Sequence, residues 1–256
     1  MQSPARKTRK EKAQAGPGRV IREKFLQDRE QAVKSKPLVP MNPTQAEYIR
    51  LIEEKAVVLA TGWPGSSKSY CPTVIACDWY KLGKIDRIML TRPAISNSQS
   101  LGYFKGSETD KMAVWLGSVL PIMKDRLGLA AFELALSTGD ISFVPLEVVK
   151  GLSLDRTFFL CEEASDLTKD EVIKLCTRMG KDSTLVLAGD VLQSELKGDS
   201  GLVWLRGFLE RNENLSKNFG WVDFNSTDHI VRSNAVREFI VAYSRDEKRF
   251  KLRDKD

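Results

Sequence analysis

Residues 62–69 read Gly62-Trp63-Pro64-Gly65-Ser66-Ser67-Lys68-Ser69, and they stand between a predicted strand and a predicted helix. The strand is the mostly apolar run over residues 55–61, and the helix is predicted over residues 67–82. A glycine-rich turn in this position presents successive backbone N–H groups at a helix N-terminus, where the unpaired donors and the helix dipole both favour an anion. The stretch therefore predicts a phosphate-binding loop of the Walker A type, typical of P-loop nucleoside triphosphatases.

Two side chains of this loop carry its expected chemistry. Lys68 is expected to reach the β- and γ-phosphates of ATP, and the Ser69 hydroxyl is expected to bind Mg²⁺. The glycine that usually precedes the lysine is Ser67 here. If that position needs a positive φ, a residue other than glycine costs about 1–2 kcal/mol. The alternative interpretation is a glycine-rich turn beside an ordinary surface lysine.

An acidic pair follows a second apolar strand, which is predicted over residues 157–161. The pair is Glu162 and Glu163. At such a position a P-loop enzyme needs one carboxylate for the metal and another to orient or deprotonate the attacking water. Adjacent side chains on a strand point to opposite faces, so the two glutamates act together only if the strand ends there and the chain turns. The alternative is a solvated acidic pair at a strand end.

A third apolar strand, predicted over residues 183–188, ends in Gly189 and Asp190, with Gln193 three residues later. Open α/β sheets bind ligands at the carboxyl ends of their strands. Asp190 and Gln193 are therefore candidates to sense the γ-phosphate or to hold water, while the alternative is a turn that Asp190 caps.

Two arginines are further candidates for contacts with phosphate or nucleic acid. Arg92 follows the strand predicted over residues 87–91, and Arg178 follows the apolar face of a helix predicted over residues 167–179. The bidentate guanidinium suits both ligands, but either residue alone is more often a salt-bridge partner.

The whole pattern alternates strands with helices. Further strands are predicted over residues 141–145 and 221–224, and further helices over residues 44–54 with Thr44 as N-cap, 201–210 and 234–243. A long polar and helical region is predicted over residues 96–136. Near-continuous apolar strands that alternate with amphipathic helices are typical of a mostly parallel sheet covered on both faces. We expect an α/β fold.

Positive charge is concentrated at the start of the chain. Residues 1–36 hold 11 Lys and Arg against 4 Asp and Glu, a balance of +7, whereas the whole chain is +6, so the remainder is about −1. Such a segment buries too little apolar surface to fold alone but can neutralise phosphates. We interpret residues 1–36 as a disordered basic arm that binds nucleic acid; a merely solvated tail and a short helix over residues 21–33 are the alternatives.

Prolines 37, 40 and 43 then mark an extended linker. We expect one folded domain over residues 37–245 and a charged tail over residues 246–256. No stretch approaches the roughly 20 apolar residues of a membrane span, and no apolar segment follows the charged N-terminus as a secretory signal requires. We therefore expect a cytoplasmic protein.

The sequence gives little support for a zinc site or for disulfide bonds. The four cysteines form no CxxC pair, and His229 is the only histidine. Neither zinc-ligand spacing nor a disulfide framework is visible, so we expect buried thiols.

Taken in chain order, the short motifs resemble those of the PhoH family over about residues 40–245. They are Gly62 to Ser69, Thr91-Arg92-Pro93, Glu162-Glu163-Ala164, Thr177-Arg178-Met179-Gly180, Gly189-Asp190 with Gln193, Ser200-Gly201-Leu202 and Asp228 to Arg232. The family is a RecA-like ATPase group related to the ATPase domains of superfamily one helicases. The resemblance implies a RecA-like three-layer sandwich that uses ATP and Mg²⁺.

The resemblance also implies a role for each matching residue. Gln45 falls at an adenine-reading position. Glu162 falls at the Mg²⁺ carboxylate, Glu163 at the water-activating carboxylate and Gln193 at the γ-phosphate sensor. Arg232 falls at an arginine finger that acts within the chain or across a subunit boundary; His229, in the same motif, is assigned no catalysis. The implied nucleotide-binding set is Gln45, Gly62, Trp63, Pro64, Gly65, Ser66, Ser67, Lys68, Ser69 and Tyr70.

This chain departs from the family pattern at four places. Ser67 replaces a glycine, Glu162 an aspartate and Ser165 a glutamine, and Lys150-Gly151 stands where the family carries Arg-Gly. The first two changes favour slow hydrolysis, and the last weakens a phosphate or RNA contact.

Three functions follow as hypotheses. The first is a Mg²⁺-dependent ATPase coupled to movement on, or remodelling of, single-stranded RNA or DNA. The second is a nucleotide-dependent RNA-binding or scaffold protein with weak or no hydrolysis, and the third is a P-loop kinase acting on a small molecule. Related ATPases form rings, so we expect a homo-oligomer, namely a hexamer.

Overall fold

A computed structural model of the chain describes residues 36–93, 117–149 and 151–253. Within these ranges, six parallel strands form one sheet in the order β3-β2-β4-β5-β1-β6. The strands are β1 Val57–Gly62, β2 Arg87–Thr91, β3 Ile141–Phe143, β4 Thr157–Cys161, β5 Thr184–Gly189 and β6 Phe219–Phe224. The helices are α1 Pro43–Glu54, α2 Tyr70–Lys81, α3 Leu120–Leu127, α4 Leu129–Ser137, α5 Leu146–Val149, α6 Lys169–Cys176, α7 Gly201–Glu210 and α8 Asn234–Arg253.

Helices cover both faces of the sheet and create two hydrophobic cores. Alternate residues of one strand point to opposite faces, so Val58 and Ala60 of β1 join a core with buried residues of α1 to α4. Val57 and Leu59 join the other core, with buried residues of α5, α6 and α7. Because both faces are covered, the strands are apolar along almost their whole length. The predicted three-layer α/β sandwich with a parallel sheet is confirmed.

The start of α1 differs from the prediction. Asn42, not Thr44, is the N-cap, because its side chain accepts a hydrogen bond from the Gln45 backbone N–H at 2.9 Å and Pro43 occupies the first helical position. Both features are typical of a helix start. Thr44 lies inside the first turn, where its hydroxyl pairs with His229 Nε2 at 2.9 Å.

Other boundaries differ from the prediction by a few residues or more. The helix predicted from residue 67 begins at Tyr70, so Ser67 to Ser69 belong to the loop. The helix predicted to end at residue 243 continues to Arg253 and takes up most of the expected tail. The described part of the helical region predicted over residues 96–136 holds two helices, α3 and α4, which are separated at Gly128, whose φ is +81°.

Two expectations fall outside the residues that the structure describes. These are nearly all of the basic arm, residues 1–35, and the phosphate or RNA candidate Lys150. In the described part of the chain, no helix combines the length and the apolar character needed to cross a membrane.

The four cysteines are free thiols. Cys71, Cys77 and Cys161 are buried as predicted, whereas Cys176 is only half-buried. Burial raises the pKa of the Cys71 and Cys77 thiols to about 12, so both stay protonated at neutral pH.

Candidate functional site

The carboxyl ends of β4, β5 and β1 lie side by side. Cys161 pairs with Leu187, and Gly189 pairs with Thr61. Because the strands are parallel, the residues after them meet at one edge of the sheet, where open α/β sheets bind ligands. An open cleft of about 1930 Å³ occupies this edge. Its lining includes Gln45, Pro64, Gly65, Ser67, Lys68, Ser69, Tyr70, Glu162, Glu163, Asp190, Gln193 and Arg232.

Two glycines of the loop over residues 62–69 are required by its backbone. Gly62 has φ +118°, and a Cβ there would lie 2.3 Å from the Phe224 carbonyl oxygen. Gly65 has φ +74°, and a Cβ there would lie 2.8 Å from Arg232 Cγ. Glycine alone combines this backbone conformation with this close approach.

Ser67 adopts the left-handed backbone conformation that glycine favours. Its φ is +72°, so the position does need a positive φ and the serine costs about 1–2 kcal/mol relative to glycine. The Ser67 hydroxyl accepts a hydrogen bond from Gln45 Nε2 at 3.3 Å. The departure from the family glycine therefore strains the loop and adds a contact to α1.

Lys68 lies across the mouth of the loop. Its ammonium donates to the carbonyl oxygens of Gly62 and Trp63, both at 2.7 Å. Burial lowers the pKa of Lys68, and the nearby carboxylates of Asp190, Glu163 and Glu162 oppose that shift. The positive charge thus lies between the loop and three acidic side chains.

Hydrogen bonds fix the rest of the loop. The Ser66 hydroxyl donates to the Trp63 carbonyl at 2.8 Å, and the Trp63 indole N–H donates to the Asn225 carbonyl at 3.0 Å. Tyr48, fully buried in α1, donates its hydroxyl to the Lys68 carbonyl at 2.9 Å. Tyr48 lies on the buried face of α1, and its hydroxyl contact with the loop has no signal in the sequence.

Ser69 and Glu162 form a pair of oxygen donors suited to Mg²⁺. The Ser69 hydroxyl donates to Glu162 Oε2 at 2.5 Å, while the buried Oε1 has no hydrogen-bond partner among the described residues. An unpaired buried carboxylate oxygen is costly in the absence of a cation. Mg²⁺ favours oxygen ligands and is commonly held by one or two carboxylates together with substrate phosphates, so these two residues fit the ion.

Burial is the main cause of the shifted pKa of Glu162. Burial raises the pKa of this carboxyl to about 7, even though the Ser69 hydrogen bond and the positive charges of Lys68 and Arg92 lower it. The negative charge of Glu163 adds to the rise. A bound cation would favour the charged form.

The chain turns directly after β4, as joint action of the acidic pair requires. Glu163 has φ +50°, and a 3₁₀ helix over Ala164–Asp166 follows it. The Ser165 backbone nitrogen packs so tightly against Gly189 that a Cβ on this glycine would lie 2.4 Å away. Glu163 is thereby exposed to the cleft beside Glu162.

Ser165 has a backbone role in this turn. Its carbonyl accepts hydrogen bonds from the Ser194 hydroxyl at 2.8 Å and the Ser200 hydroxyl at 2.6 Å. These contacts tie the acidic turn to the segments that follow β5.

Asp190 caps a turn, as one of the two interpretations expects, and it also lies at the cleft. Its Oδ1 accepts from the Leu192 backbone N–H at 3.1 Å, which caps a turn, and its side chain also lines the cleft. Burial raises the pKa of Asp190, and the Lys68 charge lowers it. Gln193 is exposed at the cleft mouth.

Arg232 lies against the phosphate loop of its own chain. The Val231 backbone N–H donates to the Gly65 carbonyl at 3.0 Å and so brings the next side chain to the loop. Arg232 is exposed and lines the cleft.

His229, three residues earlier, has both ring nitrogens in use. Nε2 pairs with the Thr44 hydroxyl at 2.9 Å and Nδ1 with the Ser226 backbone N–H at 3.3 Å. The ring connects the segment after β6 to α1, in keeping with the structural role that the sequence suggests for it.

The two candidate arginines lie in different parts of the structure. Arg92, at the end of β2, is close enough to Glu162 for its charge to lower the pKa of that carboxyl. Arg178 lies at the opposite edge of the sheet, where its carbonyl accepts from the Leu154 backbone N–H just before β4. The structure therefore brings Arg92 to the site and leaves Arg178 away from it.

Comparison with known proteins agrees with this arrangement. The family model "PhoH-like protein" matches residues 37–244. The PhoH-like protein of Bacillus subtilis (strain 168) is 31% identical over 203 residues, which cover 78% of this chain and 62% of that protein. Protein PhoH of Escherichia coli (strain K12) is 28% identical over 212 residues, which cover 81% of this chain and 58% of that protein.

A PhoH-like protein of Mycobacterium tuberculosis (strain ATCC 25618 / H37Rv) is 28% identical over 216 residues, which cover 84% of this chain and 60% of that protein. The chain thus spans roughly three fifths of the length of these relatives. With a family match over most of its length and the phosphate loop at the expected edge of the sheet, the chain belongs to the PhoH-like family of P-loop proteins.

Proposed function

We propose that this protein binds Mg²⁺-ATP in the cleft, hydrolyses it, and couples hydrolysis to the binding or remodelling of single-stranded nucleic acid, with RNA as the first candidate. The observation that carries the proposal is the Ser69–Glu162 pair at 2.5 Å, with the unpaired Oε1 of Glu162 beside it. Because this pair lies next to the loop lysine, the site offers a cation position and a phosphate position together.

Each cleft residue has a part in the proposed hydrolysis. The loop N–H groups and Lys68 bind the phosphate oxygens. Ser69 and Glu162 would hold Mg²⁺, which would offset the negative charge of the phosphates when bound. Glu163 accepts a proton from the attacking water and Gln193 holds that water in place. Arg232 stabilises the charge that develops on the transferred phosphoryl group.

The test is phosphate release with and without single-stranded RNA and DNA at two salt concentrations. We expect Mg²⁺-dependent release that RNA stimulates, with weaker stimulation at the higher salt because the basic arm acts electrostatically. Lys68→Ala should lower release by about 100-fold or more, because the lysine stabilises charge in the transition state. Lys174→Ala, an exposed lysine on α6, is the matched control and should match the wild type. Equal rates for Lys68→Ala and the wild type would exclude the proposal.

A second candidate is a nucleotide-dependent binding protein with little turnover. Ser67 supports this candidate because a serine stands at φ +72°, where the loop favours glycine, and strain in the phosphate loop is expected to slow turnover. Tight ATP binding without phosphate release, in the presence of RNA, would favour this second function over the first.

The hexameric ring remains a proposal that rests on the family resemblance. Arg232 lies beside Gly65 of the same chain, which supports a finger that acts within the chain. We expect the rate of phosphate release per chain to stay constant when the protein is diluted to concentrations at which rings dissociate. Light scattering checks that the rings have dissociated. A rate that falls together with the ring population would instead indicate that a neighbouring subunit supplies the arginine.

A further inference from the structure

The segment over residues 225–233 connects β6 to α8, and two hydrogen bonds join it to the phosphate loop. The Trp63 indole N–H donates to the Asn225 carbonyl at 3.0 Å. The Val231 backbone N–H donates to the Gly65 carbonyl, also at 3.0 Å. Because both partners belong to the loop, these two bonds fix the segment relative to the loop alone.

His229 joins the same segment to α1. Its Nδ1 accepts from the Ser226 backbone N–H at 3.3 Å, because a backbone N–H can only donate. A neutral ring with an acceptor at Nδ1 carries its proton on Nε2, so the Nε2–H donates to the Thr44 hydroxyl at 2.9 Å. Among the described residues, this is the one hydrogen bond between the segment and α1.

Aromatic packing holds the His229 ring in place. The ring lies edge-on to Phe224, with 5.8 Å between centroids and an angle of 88° between the planes. Tyr48 of α1 packs edge-on against the same phenylalanine at 5.6 Å. Phe224 is the last residue of β6 and is fully buried. The strand and the helix therefore support the ring together, and the bond to Thr44 adds a directional contact to this packing.

Arg232 follows His229 by three residues and lies on the loop. A Cβ on Gly65 would lie 2.8 Å from Arg232 Cγ and 3.1 Å from Nε. The arginine side chain is exposed. A group that stabilises a transition state must be held within about 0.5 Å of its productive position by the residues around it. The backbone contacts of the segment therefore determine where this guanidinium can act.

We propose that His229, through its hydrogen bond to Thr44, is a positioning residue for Arg232. The bond fixes the segment to a helix that is anchored in the core, and the arginine is thereby held beside the phosphate loop. The inference rests on the proposed function, in which Arg232 acts on the transferred phosphoryl group of its own chain. His229 takes part in no bond change or proton transfer; its effect passes through the arginine.

Matched variants separate this contact from its surroundings. Thr44→Val removes the hydroxyl and keeps the shape of the side chain, whereas Thr44→Ser keeps the hydroxyl. His229→Asn removes the bond to Thr44 and retains an acceptor for the Ser226 backbone N–H. Each change is made in the wild type and in the Arg232→Ala background. Glu53→Ala, an exposed residue of α1, is the control.

Three quantities are measured for each variant. They are kcat for phosphate release, the dissociation constant of Mg²⁺-ATP, and the dissociation constant of Mg²⁺-ADP with aluminium fluoride, which mimics the phosphoryl group in transfer. Calorimetry gives both dissociation constants. Urea unfolding checks that each variant is folded under the assay conditions, and Thr44→Val carries the test alone if His229→Asn does not fold.

Thr44→Val and His229→Asn should each lower kcat about three- to tenfold, the effect expected of one net hydrogen bond. Each should weaken binding of the aluminium fluoride complex by the same factor and leave Mg²⁺-ATP binding within about twofold, because the contact acts in the transition state. Thr44→Ser and Glu53→Ala should behave as the wild type. The double variant should be no slower than either single one, since both break the same contact.

The Arg232→Ala background tests whether the effect passes through the arginine. Arg232→Ala itself should lower kcat by at least about 100-fold. In that background neither Thr44→Val nor His229→Asn should lower kcat or analogue binding further. A merely structural contact would give the same loss in both backgrounds.

Three results would overturn the inference. The first is a Thr44→Val variant with the kcat and analogue binding of the wild type, the second is an equal loss in the Arg232→Ala background, and the third is a loss of Mg²⁺-ATP affinity as large as the loss of kcat. If Arg232→Ala keeps the wild-type rate while Lys68→Ala loses it, ATP hydrolysis at the loop stands and the inference fails. If Lys68→Ala also keeps that rate, the proposed function fails too.

Discussion

Ser67 and Glu162 each occupy an energetically unfavourable local environment in this site. Ser67 has φ +72°, and Glu162 buries a carboxyl group with one unpaired oxygen. Costs of this kind persist only when the surrounding structure enforces them, and they concentrate at functional sites. Here the enforcing contacts are hydrogen bonds from Gln45 to Ser67 and from Ser69 to Glu162.

Replacing the buried carboxyl should change how stability depends on pH. Burial raises the pKa of Glu162 from 4.5 to about 7. The folded protein then binds the proton more tightly than the unfolded chain, so the stabilisation is complete below pH 4.5 and is lost as the pH rises through about 7. Over the whole titration this loss amounts to about 3 kcal/mol, and Glu162→Gln lacks it.

Urea unfolding in Mg²⁺-free buffer at about pH 5 and about pH 8 checks this prediction. The stability of Glu162→Gln relative to the wild type should increase by about 2–3 kcal/mol between the two conditions. A relative stability that does not change with pH would show that the carboxyl titrates normally in the folded protein.

Gly62→Ala should destabilise the fold through backbone conformation and contact together. Gly62 has φ +118°, and the added Cβ would lie 2.3 Å from the Phe224 carbonyl oxygen. We expect a loss of at least about 2 kcal/mol in the free energy of unfolding. Gly139→Ala is the control, because Gly139 has φ +78° but no atom within 4 Å of the new Cβ, and it should cost only about 1–2 kcal/mol. Equal losses in the two variants would contradict the contact with β6.

Much of the candidate site could be proposed from single residues, because strand ends and glycine-rich turns are local patterns. The sequence places Lys68, Ser69 and Glu162 after strands, and parallel strands bring such residues to one edge. The hydrogen bond from Gln45 to Ser67 joins residues 22 apart in the chain. Its existence depends on how α1 packs against the loop, which no local pattern encodes.

Among the elements, predicted bounds agree best where an apolar run ends abruptly at charged or turn-forming residues. β2, β4 and α7 have the predicted bounds. The helical region predicted over residues 96–136 contains two helices within its described part, because Gly128, with φ +81°, separates α3 from α4. Helix periodicity continues across the break, so the glycine alone marks it.

The cap of α1 gives a test at this scale. Asn42→Ala removes the side chain that accepts from the Gln45 backbone N–H, so we expect a loss of about 1 kcal/mol in the free energy of unfolding. Asn42→Gly should lower the free energy of unfolding by only about a few tenths of a kcal/mol, because glycine is tolerated at N-caps. Chemical denaturation measures both variants. An Asn42→Ala variant as stable as the wild type would argue for a helix start at Thr44, as the sequence pattern first suggests.

For the whole molecule, strand order determines which residues meet. The order β3-β2-β4-β5-β1-β6 places β5 between β4 and β1, so the acidic turn, Asp190 and the phosphate loop line one cleft. The sequence predicts the fold class through alternating elements, but strand order depends on long-range pairing. The contact of Arg232 with Gly65 likewise joins distant parts of the chain. The strand order brings the loop and the acidic pair to one cleft, and the Arg232 contact adds an arginine of the same chain.

The most direct test of the central claim compares ATP binding with Mg²⁺-dependent phosphate release in Glu163→Gln. Glu163 is exposed in the cleft beside the metal pair, so its loss should remove proton transfer without removing the phosphate cradle. We predict an ATP dissociation constant within about threefold of the wild type and release slowed by at least about 100-fold. Glu147→Gln, an exposed glutamate of α5, should behave as the wild type. Phosphate release by Glu163→Gln at the wild-type rate would contradict the account.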